Sequence, residues 1–368
     1  MNKHLLYKEL EEWYEVNHRI LPWRETDDPY KIWISEIVLQ QTRVAQGMEY
    51  YHRLITRFPD IQSLAQAEED EVLLYWQGLG YYSRARNLHK AAQLMREHEI
   101  FKLNNDNINN IATESTPSVA KGKTPELLNS EQIFSALKSM PGVGDYTAGA
   151  IASFAFDLPY PALDGNVYRV LSRLYDCEIA FDTTEGKKHF RKLAEDLLDR
   201  EHPRLFNSAI MELGALHCVP TAPDCHTCPL NTWCKALANN TVELLPVRKP
   251  RPKVRDRYLE YTIYITPERT TLIHQRKGND IWKHLWEFVC AERTGEEAIR
   301  REAKGNKILE LTHVLSHQKL HARFVIKNVP ELPEIPDTLV VSLNDLDNYA
   351  FSRLTLNAIE KLLIPHHS

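Results

Sequence analysis

Apolar residues along the first 100 positions recur every three or four residues, which is the spacing of one face of an amphipathic helix. This pattern predicts helices in the segments LYKELEEWYEV, PYKIWISEIVLQQTRVAQGMEYYHRLITRF and ARNLHKAAQLMREH. Asp28 and Pro29 suit the start of the second segment, because proline is favoured at the first helical position. The pattern resumes at Gln132 and continues to about Leu216. The first part of the chain is therefore predicted to be mainly α-helical.

Two stretches interrupt this pattern. Residues 102–130 are rich in Asn, Ser and Thr and poor in large apolar side chains, which predicts a solvent-exposed loop insertion. The stretch LLPVRKPRPKVRDR carries three prolines and six basic residues against one acidic residue. Such a composition is typical of an extended linker between two domains.

Beyond this linker, β-branched and aromatic residues predict strands. The segment YLEYTIYITPERTTLIHQR indicates two strands around a turn, HARFVIKNV and TLVVSL resemble further strands, and LTLNAIEKLL indicates a helix. The predicted organisation is a helical domain over residues 1–234 with an insertion at about 102–130, an interdomain linker over 235–257, and an α+β domain over 258–368.

The overall composition is that of an ordinary globular protein. The 368 residues are 43% hydrophobic and 26% charged, and no stretch reaches the ~18 apolar residues that a membrane span needs. The segment MNKHLLYKELEEWYEV lacks the long apolar run of a secretory signal, so a cytoplasmic, intracellular location without a membrane is expected. The net charge of −5 gives no global sign of nucleic-acid binding, so any DNA-binding surface must be local.

Four cysteines are clustered in the second half of the helical region. Cys218, Cys225, Cys228 and Cys234 form the pattern C-x6-C-x2-C-x5-C within seventeen residues. In a reducing compartment such a cluster is read first as a set of metal ligands. A zinc site usually pairs two short C-x2-C knuckles, whereas this compact run favours a [4Fe–4S] cluster with one thiolate per iron. A zinc ion and four unrelated buried cysteines are the alternatives.

A glycine-containing hairpin and an aspartate follow one another along the helical region. Gly142 and Gly144 permit a tight turn and positive φ angles, and the next helix would begin near Asp145 with backbone N–H groups free to hold a phosphate. An ordinary helix–helix turn is the alternative. Asp164 lies eighteen residues past Tyr146 and opens an apolar stretch. Such an aspartate is usually an N-cap, but its fixed distance from the hairpin indicates a functional position.

These motifs together resemble a known superfamily. MPGVGDYTAGAIASF, PALDGNVYRVLSRLY and the cysteine run resemble the helix-hairpin-helix DNA glycosylase superfamily, and WISEIVLQQTRV and GLGYYSRARNLHKAA resemble its MutY-type adenine DNA glycosylases. The resemblance covers essentially the whole chain except the insertion. It implies a helix-hairpin-helix domain with an iron–sulfur loop, followed by a Nudix-like domain that recognises 8-oxoguanine. The implied activity is removal of adenine opposite 8-oxoguanine or guanine in double-stranded DNA, by a monomer associated with the nucleoid.

Glu36 is the first predicted catalytic residue. It lies in an apolar helical segment, and a solvated helix face is the alternative interpretation. Glu36, Gln40 and Arg43 are predicted to share one polar face at i, i+4 and i+7 that could line a cleft. A carboxyl group flanked by Trp33 and Ile37 loses hydration, which keeps a proton available for general acid catalysis. The resemblance likewise places the catalytic glutamate here, and makes it the donor of a proton to adenine.

The resemblance assigns the other catalytic groups. Asp164 is expected to stay ionised and to stabilise the sugar cation, as the second carboxyl group of a glycosidase does. Tyr146 and Asn166 match positions that support this centre. Bifunctional relatives carry lysine at position 146, and because tyrosine cannot form an imine, the chain is expected to be a monofunctional glycosylase.

The resemblance also assigns DNA-binding residues. Tyr81 matches an intercalating wedge, with core packing of Tyr81 and Tyr82 as the alternative. Ser316 and His317 match a loop that reads the lesion, in which Leu315 replaces the usual phenylalanine. The remaining matches are Gln41 and Thr42, which face the opposite strand, and Trp23, Arg24, Leu39 and Glu212, which form the adenine pocket.

The C-terminal domain lacks the catalytic box of Nudix hydrolases. Glu296, Glu297 and Glu302 are present but do not have the required spacing, so no nucleotide hydrolysis is expected. Three functions are alternatives to adenine removal: a glycosylase of this fold that excises another base such as thymine, a lyase acting on abasic sites, and a noncatalytic iron–sulfur DNA-binding protein. In the last of these, Glu36 and Asp164 would be dispensable.

Overall fold

The computed structural model describes residues 2–101, 128–250, 254–295 and 307–363. Most of the predicted insertion therefore lies outside the described residues, as do the glutamates at 296, 297 and 302. The last residues of the predicted insertion are described, and there Asn129 caps a helix that begins at Ser130. Among the described residues, no helix combines the length and the apolar character needed to cross a membrane.

Helices make up most of the chain up to residue 240, as the spacing of apolar residues predicts. They are α1 (Lys3–Asn17), α2 (Pro29–Val38), α3 (Val44–Arg57), α4 (Ile61–Gln66), α5 (Glu69–Trp76), α6 (Ser83–Met95), α7 (Ser130–Ser139), α8 (Asp145–Phe156), α9 (Gly165–Tyr175), α10 (Thr184–Leu197), α11 (Pro203–Leu216) and α12 (Lys235–Asn239). Short 3-10 turns lie at Glu99–Phe101, Asn231–Trp233 and Val242–Leu244.

The chain leaves the helical path after α2, where the sequence pattern predicts one continuous helical segment. Gln41 adopts a left-handed conformation with φ 57°, and helix resumes only at Val44. The predicted common face of Glu36, Gln40 and Arg43 is therefore wrong. Residues 39–44 contain neither glycine nor proline, which is why the sequence pattern does not reveal this turn. Gln40 instead donates a hydrogen bond to the Thr147 hydroxyl at 3.2 Å.

The described chain forms two compact units, and each unit combines three separate stretches of the sequence. The first unit comprises Met1–Gly47, Phe58–Gln62 and Lys90–Pro250, and the second comprises Met48–Arg57, Ser63–His89 and Arg251–Ser368. The predicted domains are continuous segments, whereas these units group residues by contacts in space. The predicted domain bounds stay a prediction.

The first unit is built around helix packing. α2 packs on α8, and α11 packs on both α1 and α9. In α9 the residues Val167, Val170, Leu171 and Leu174 have the i, i+3, i+4, i+7 spacing of one helical face, and all four are buried in the same core. This buried face fixes α9, and thereby fixes Asp164 at its N-terminus.

The second unit contains a six-stranded sheet. Its strands run in the spatial order β4-β5-β1-β3-β2-β6, with β1 and β5 parallel and the other neighbouring pairs antiparallel. The predicted strands and the C-terminal helix are present, whereas β3 and β4 were not predicted. The elements are β1 (Arg255–Ile265), β2 (Thr270–Gln275), β3 (Trp286–Arg293), β4 (Ile308–Val314), β5 (Gln318–Asn328), β6 (Leu339–Ser342) and α13 (Arg353–Leu362).

Helix α5 and the segment that follows it are hydrogen-bonded to this sheet region within the second unit. Asp70 accepts a hydrogen bond from the Gln275 amide at 2.8 Å, and its neighbour Glu69 pairs with His284. Arg86 donates to the main-chain oxygen of Lys283 at 2.8 Å. These contacts explain why residues 63–89 belong to the same compact unit as the C-terminal region.

Candidate active site

Glu36 lies on the buried side of α2 and is only 2% exposed. The Tyr146 hydroxyl donates a hydrogen bond to Glu36 Oε2 at 2.7 Å, and Arg24 Nη1 donates to Glu36 Oε1 at 3.3 Å. The Arg24 guanidinium in turn lies 3.6 Å from the centre of the Phe154 ring. The alternative of a solvated helix face is therefore wrong, and Glu36 is a buried carboxyl group with both oxygens held in place.

Tyr146 reaches Glu36 from the start of α8, directly after the predicted hairpin. Gly142 has a left-handed φ of 80°, whereas Gly144 is extended with φ −92° and ψ −176°, so only Gly142 uses the positive φ that the sequence allowed for both. Burial raises the pKa of Tyr146 well above its usual value, and the negative charges of Glu36 and Asp164 add to this effect. Its hydroxyl therefore stays neutral and remains a hydrogen-bond donor.

Asp164 is the N-cap of α9, as its position before the apolar stretch suggests. Asp164 Oδ1 accepts hydrogen bonds from the backbone N–H groups of Asn166 at 2.9 Å and Val167 at 2.8 Å, and Oδ2 accepts from Asn166 Nδ2 at 2.8 Å. Burial raises the pKa of Asp164 above its usual range, although these hydrogen bonds oppose the shift; the charge of Glu36 raises it further. The two carboxyl groups are thus electrostatically coupled.

A cavity of about 270 Å³ adjoins this centre and shares Arg24 with it. Trp23 and Arg24, both assigned to the base pocket by resemblance, line this cavity. Leu39 and Glu212 are not among its lining residues. Leu39 caps the end of α2, and Glu212 accepts two hydrogen bonds from the Arg19 guanidinium at 2.6 and 2.8 Å. The other lining residues are Tyr14, Thr26, Phe154, Asp157, His202, Arg204, Leu205 and Ser208.

Gln41 and Thr42 lie in the turn that follows α2. The left-handed conformation of Gln41 and the hydrogen bond from the Thr42 hydroxyl to the Gln40 main-chain oxygen, at 3.4 Å, define this turn. The turn begins directly beyond the helix that carries Glu36. Both residues are thereby placed a few positions from the catalytic candidate, in the same compact unit.

Tyr81 belongs to the second unit and is 47% exposed, so core packing is the wrong interpretation for this residue. It is held in a left-handed conformation with φ 48°. Its hydroxyl is hydrogen-bonded to the Ser316 hydroxyl in the β4–β5 loop of the same unit. The main-chain oxygen of His317 in this loop accepts a hydrogen bond from the Arg255 N–H at 3.1 Å. The structure thus brings together two residues that resemblance assigns to the DNA interface.

Tyr82, in contrast, is buried and anchors the segment that carries Tyr81. Its hydroxyl donates to the main-chain oxygen of Phe351 at 3.2 Å and accepts from the Gly78 N–H at 3.1 Å. The Phe351 N–H donates to Gln77 Oε1 at 2.6 Å. The hydrogen bonds of Gln77 and Tyr82 therefore both join this segment to the main chain of one C-terminal residue, Phe351.

The four clustered cysteines line one cavity after α11. Burial raises the pKa of the Cys228 thiol to about 12, and the other three thiols, if charged, would raise it further. The Arg173 guanidinium donates to Cys218 Sγ at 3.4 Å. Across the described ranges, no three or more His, Cys, Asp or Glu side chains form a group that could hold a metal ion. The four cysteine sulfurs that line this cavity are nevertheless the donor type that an iron–sulfur cluster takes.

Two arginines of α9 were not singled out from the sequence. Arg169 donates to the main-chain oxygen of Cys218 at 2.6 Å and to Asn166 Oδ1 at 2.9 Å. Arg173 donates to the main-chain oxygens of Val219 at 2.8 Å and Pro220 at 3.1 Å. Both side chains are buried, so α9 joins the cysteine loop to the catalytic centre. The available signal was a pair of arginines four residues apart inside an apolar helix.

Comparison with known proteins agrees with this architecture. Residues 34–199 match the HhH-GPD superfamily of base excision DNA repair proteins, and residues 261–361 match the NUDIX domain. A solved structure of a thermostable thymine-DNA glycosylase matches this chain with a TM-score of 0.51 and 22% sequence identity. The match covers 64% of this chain and 97% of that chain. At this identity the likeness concerns the fold alone. The class defined by the fold and the site is that of the helix-hairpin-helix base excision repair proteins, with a Nudix-like second domain.

Named relatives narrow this class. The adenine DNA glycosylase of Buchnera aphidicola subsp. Baizongia pistaciae (strain Bp) is 32% identical over 324 residues, 86% of this chain and 84% of that protein. The adenine DNA glycosylase of Homo sapiens is 37% identical over 232 residues, 61% of this chain and 38% of that protein. The chain therefore belongs to the adenine DNA glycosylase family. This membership confirms the resemblance, the fold class and the expectation of an enzyme that hydrolyses N-glycosyl bonds.

Proposed function

We propose that this protein removes adenine opposite 8-oxoguanine or guanine from double-stranded DNA, as a monofunctional glycosylase. The observation that carries the proposal is the buried Glu36 carboxyl group, held by Tyr146, coupled to Asp164 and adjoining a cavity next to Trp23 and Arg24. A noncatalytic DNA-binding protein has no need to bury and orient two coupled carboxyl groups.

Adenine must leave the DNA stack to reach such a centre. Extrusion costs a few kcal/mol and is easier for a mispaired base. The exposed ring of Tyr81 can fill the vacated space as a wedge, and its left-handed backbone is fixed by the hydrogen bonds around Tyr82. The extruded base would enter the cavity next to Trp23, where Arg24 lines the wall and orients Glu36.

Bond cleavage follows from the two carboxyl groups. Protonated Glu36 donates its proton to adenine, at N7, while the N-glycosidic bond breaks and its electron pair stays on the base. The sugar becomes an oxocarbenium-like cation that ionised Asp164 stabilises. The Glu36 carboxylate then accepts a proton from water, whose oxygen bonds to C1′. Tyr146 keeps Glu36 aligned in both steps through its 2.7 Å hydrogen bond.

Recognition of the lesion is assigned to the polar groups of the β4–β5 loop. Ser316 can hydrogen-bond the N7–H or O8 of 8-oxoguanine, which guanine presents differently, and His317 adds a second polar group. Gln41 and Thr42 would contact the same strand. The Ser316 hydroxyl already contacts Tyr81, so the wedge and the lesion reader would act at the same base step.

Cys218, Cys225, Cys228 and Cys234 would hold a [4Fe–4S] cluster. When bound, the cluster supplies positive charge that balances four thiolates and thereby fixes the loop after α11. Arg169 and Arg173 connect this loop to α9, whose N-terminus carries Asp164. The role of Arg169 and Arg173 is therefore to hold Asp164, the catalytic aspartate, in place.

Single-turnover incubation with defined duplexes tests the proposed function. The protein should release adenine from A·8-oxoguanine and A·guanine duplexes and should leave T·G and abasic duplexes uncut. Borohydride should trap little protein on DNA, because Tyr146 has no amine that could form an imine. Release of thymine, or strand cleavage at the abasic site, would contradict the proposal.

The Ser316→Ala variant is the specificity arm of this experiment. The rate with A·guanine should stay near that of the wild type, whereas the preference for A·8-oxoguanine should shrink by about 1–3 kcal/mol, the value of a good polar base contact. An unchanged ratio of the two rates would remove Ser316 from lesion recognition.

Elemental analysis tests the cluster. Protein purified under anaerobic conditions should be brown and should contain about four iron atoms and inorganic sulfide per chain. Cys228→Ser should lose most of this iron, whereas the same change at Cys290, a cysteine of strand β3, should keep it. About one zinc per chain without iron would show that the site is a zinc site instead.

A further inference from the structure

A second cavity of about 290 Å³ lies in the first unit beside the catalytic centre. We propose that it binds the nucleotide next to the target adenosine on the same DNA strand, with Lys187 contacting its phosphate. The inference rests on the proposed function and extends it to a binding site outside the base pocket. The residues that carry the argument are Tyr146, Leu163, Tyr160, Tyr168, Lys187 and Arg191, all of which line the cavity.

The position of the cavity points to the strand that carries the target base. One of its walls is Tyr146, the residue that holds Glu36. Another is Leu163, which directly precedes Asp164 in the chain. A sugar placed between Glu36 and Asp164 therefore has this cavity as its neighbour, and the next nucleotide is the part of the ligand that can reach it.

The walls of the cavity suit a nucleotide because they are aromatic and packed against further aromatic rings. Tyr160 is stacked on Phe134, with ring centres 4.1 Å apart and planes 6° apart. Tyr168 is stacked on Phe181, with ring centres 4.9 Å apart, and meets Phe190 edge-on. Fixed aromatic surfaces next to a basic groove are the usual arrangement in proteins that hold a nucleic-acid strand without reading its sequence.

The charges around the cavity single out Lys187. Arg191 pairs with Glu195 at 2.9 Å and lies 3.5 Å from Asp145, which Lys138 also contacts. The negative charges of Asp145 and Glu195 are thus balanced by the positive charges of Lys138 and Arg191. Within the described residues, Lys187 is the lining cation for which no ion pair is formed, and it is an exposed residue. Its ammonium group is available for a phosphate.

Helix α10 offers a matched control. Lys187 and Lys188 are neighbours, both are exposed, and both carry one positive charge, but only Lys187 lines the cavity. Replacing either by alanine changes the net charge equally. Affinity for an A·8-oxoguanine duplex is measured across a salt series, with a 2′-fluoro sugar at the target adenosine to prevent cleavage. Lys187→Ala should weaken binding and reduce the salt slope by about 0.9, the value of one phosphate contact, whereas Lys188→Ala should change it much less.

A methylphosphonate at the phosphate next to the target adenosine locates the contact. On this neutral duplex the wild type and Lys187→Ala should bind alike, whereas a methylphosphonate at a distant phosphate should leave their difference intact. Equal effects of the two lysine variants would overturn the proposal. So would a Lys187 effect that survives the neutral linkage but disappears in millimolar inorganic phosphate, because the site would then bind free phosphate. If the wild type releases no adenine, the proposed function fails separately from these binding results.

Discussion

Replacing Glu36 by glutamine should lower the single-turnover rate of adenine release about 10²–10⁴-fold, because it removes a general acid. Glutamine has nearly the same size and can still accept the hydrogen bond from Tyr146, so the buried position should keep its packing. The amide cannot give a proton to the base or accept one from water. Binding to a lesion duplex should therefore stay near that of the wild type while base release is lost.

Glu25→Gln provides the control for this experiment. Glu25 follows Arg24 in the chain but is exposed, so the same chemical change there should leave the rate unaltered. If Glu36→Gln keeps more than about a tenth of the wild-type rate, given the loss expected for a general acid, Glu36 is not the proton donor.

Asp164→Asn should lower the rate about 10²–10³-fold, the range seen when one electrostatic contact to a transition state is removed. Asparagine is as good an N-cap as aspartate, so the bonds from the N–H groups of Asn166 and Val167 can persist and α9 should stay folded. The negative charge facing the sugar is lost, and with it the acceptor that Oδ2 provides for the Asn166 side-chain amide. Asp199→Asn is the matched control, since Asp199 also accepts main-chain hydrogen bonds but lies outside the site.

The pH profile gives a second measure of the same role. Burial raises the pKa of Asp164, so the carboxylate is lost at a higher pH than for an ordinary aspartate as the solution is acidified. In the wild type, the rate should therefore fall on acidification at a pH above the usual aspartate range. In Asp164→Asn, the fall that is due to protonation of Asp164 should be absent. A variant with the wild-type rate and acid limb would show that Asp164 is only a helix cap.

Local features of the sequence sufficed to predict several of the elements that position the candidate site. The apolar face of α9 and the capping aspartate before it follow from spacing alone, and both are present. The strands β1 and β5 were recognised from β-branched and aromatic residues. These predictions succeeded because each depends on residues a few positions apart.

Features that depend on distant partners were not predictable. The left-handed turn at Gln41 ends α2 without a glycine or proline to mark it. The pairing of Arg19 with Glu212 joins residues 193 positions apart, and it places Glu212 outside the lining of the cavity that holds Trp23. The burial of Arg173 depends on main-chain oxygens in a loop more than 40 residues away. Single-sequence patterns carry no information on such contacts.

The hydrogen bonds at Phe351 hold the C-terminal region and the helical segment 63–89 together as one structural unit. A chain ended near Ala238 would remove Phe351, the partner of Gln77 and of the Tyr82 hydroxyl, and the hydroxyl would keep only its hydrogen bond from the Gly78 N–H. Deletion would therefore disturb the Tyr81 segment as well as remove Ser316 and His317. The amide protons of Gly78 and Phe351 should exchange with solvent together, as members of one cooperative folding unit, and substitutions in the two segments should be tolerated only in compatible pairs.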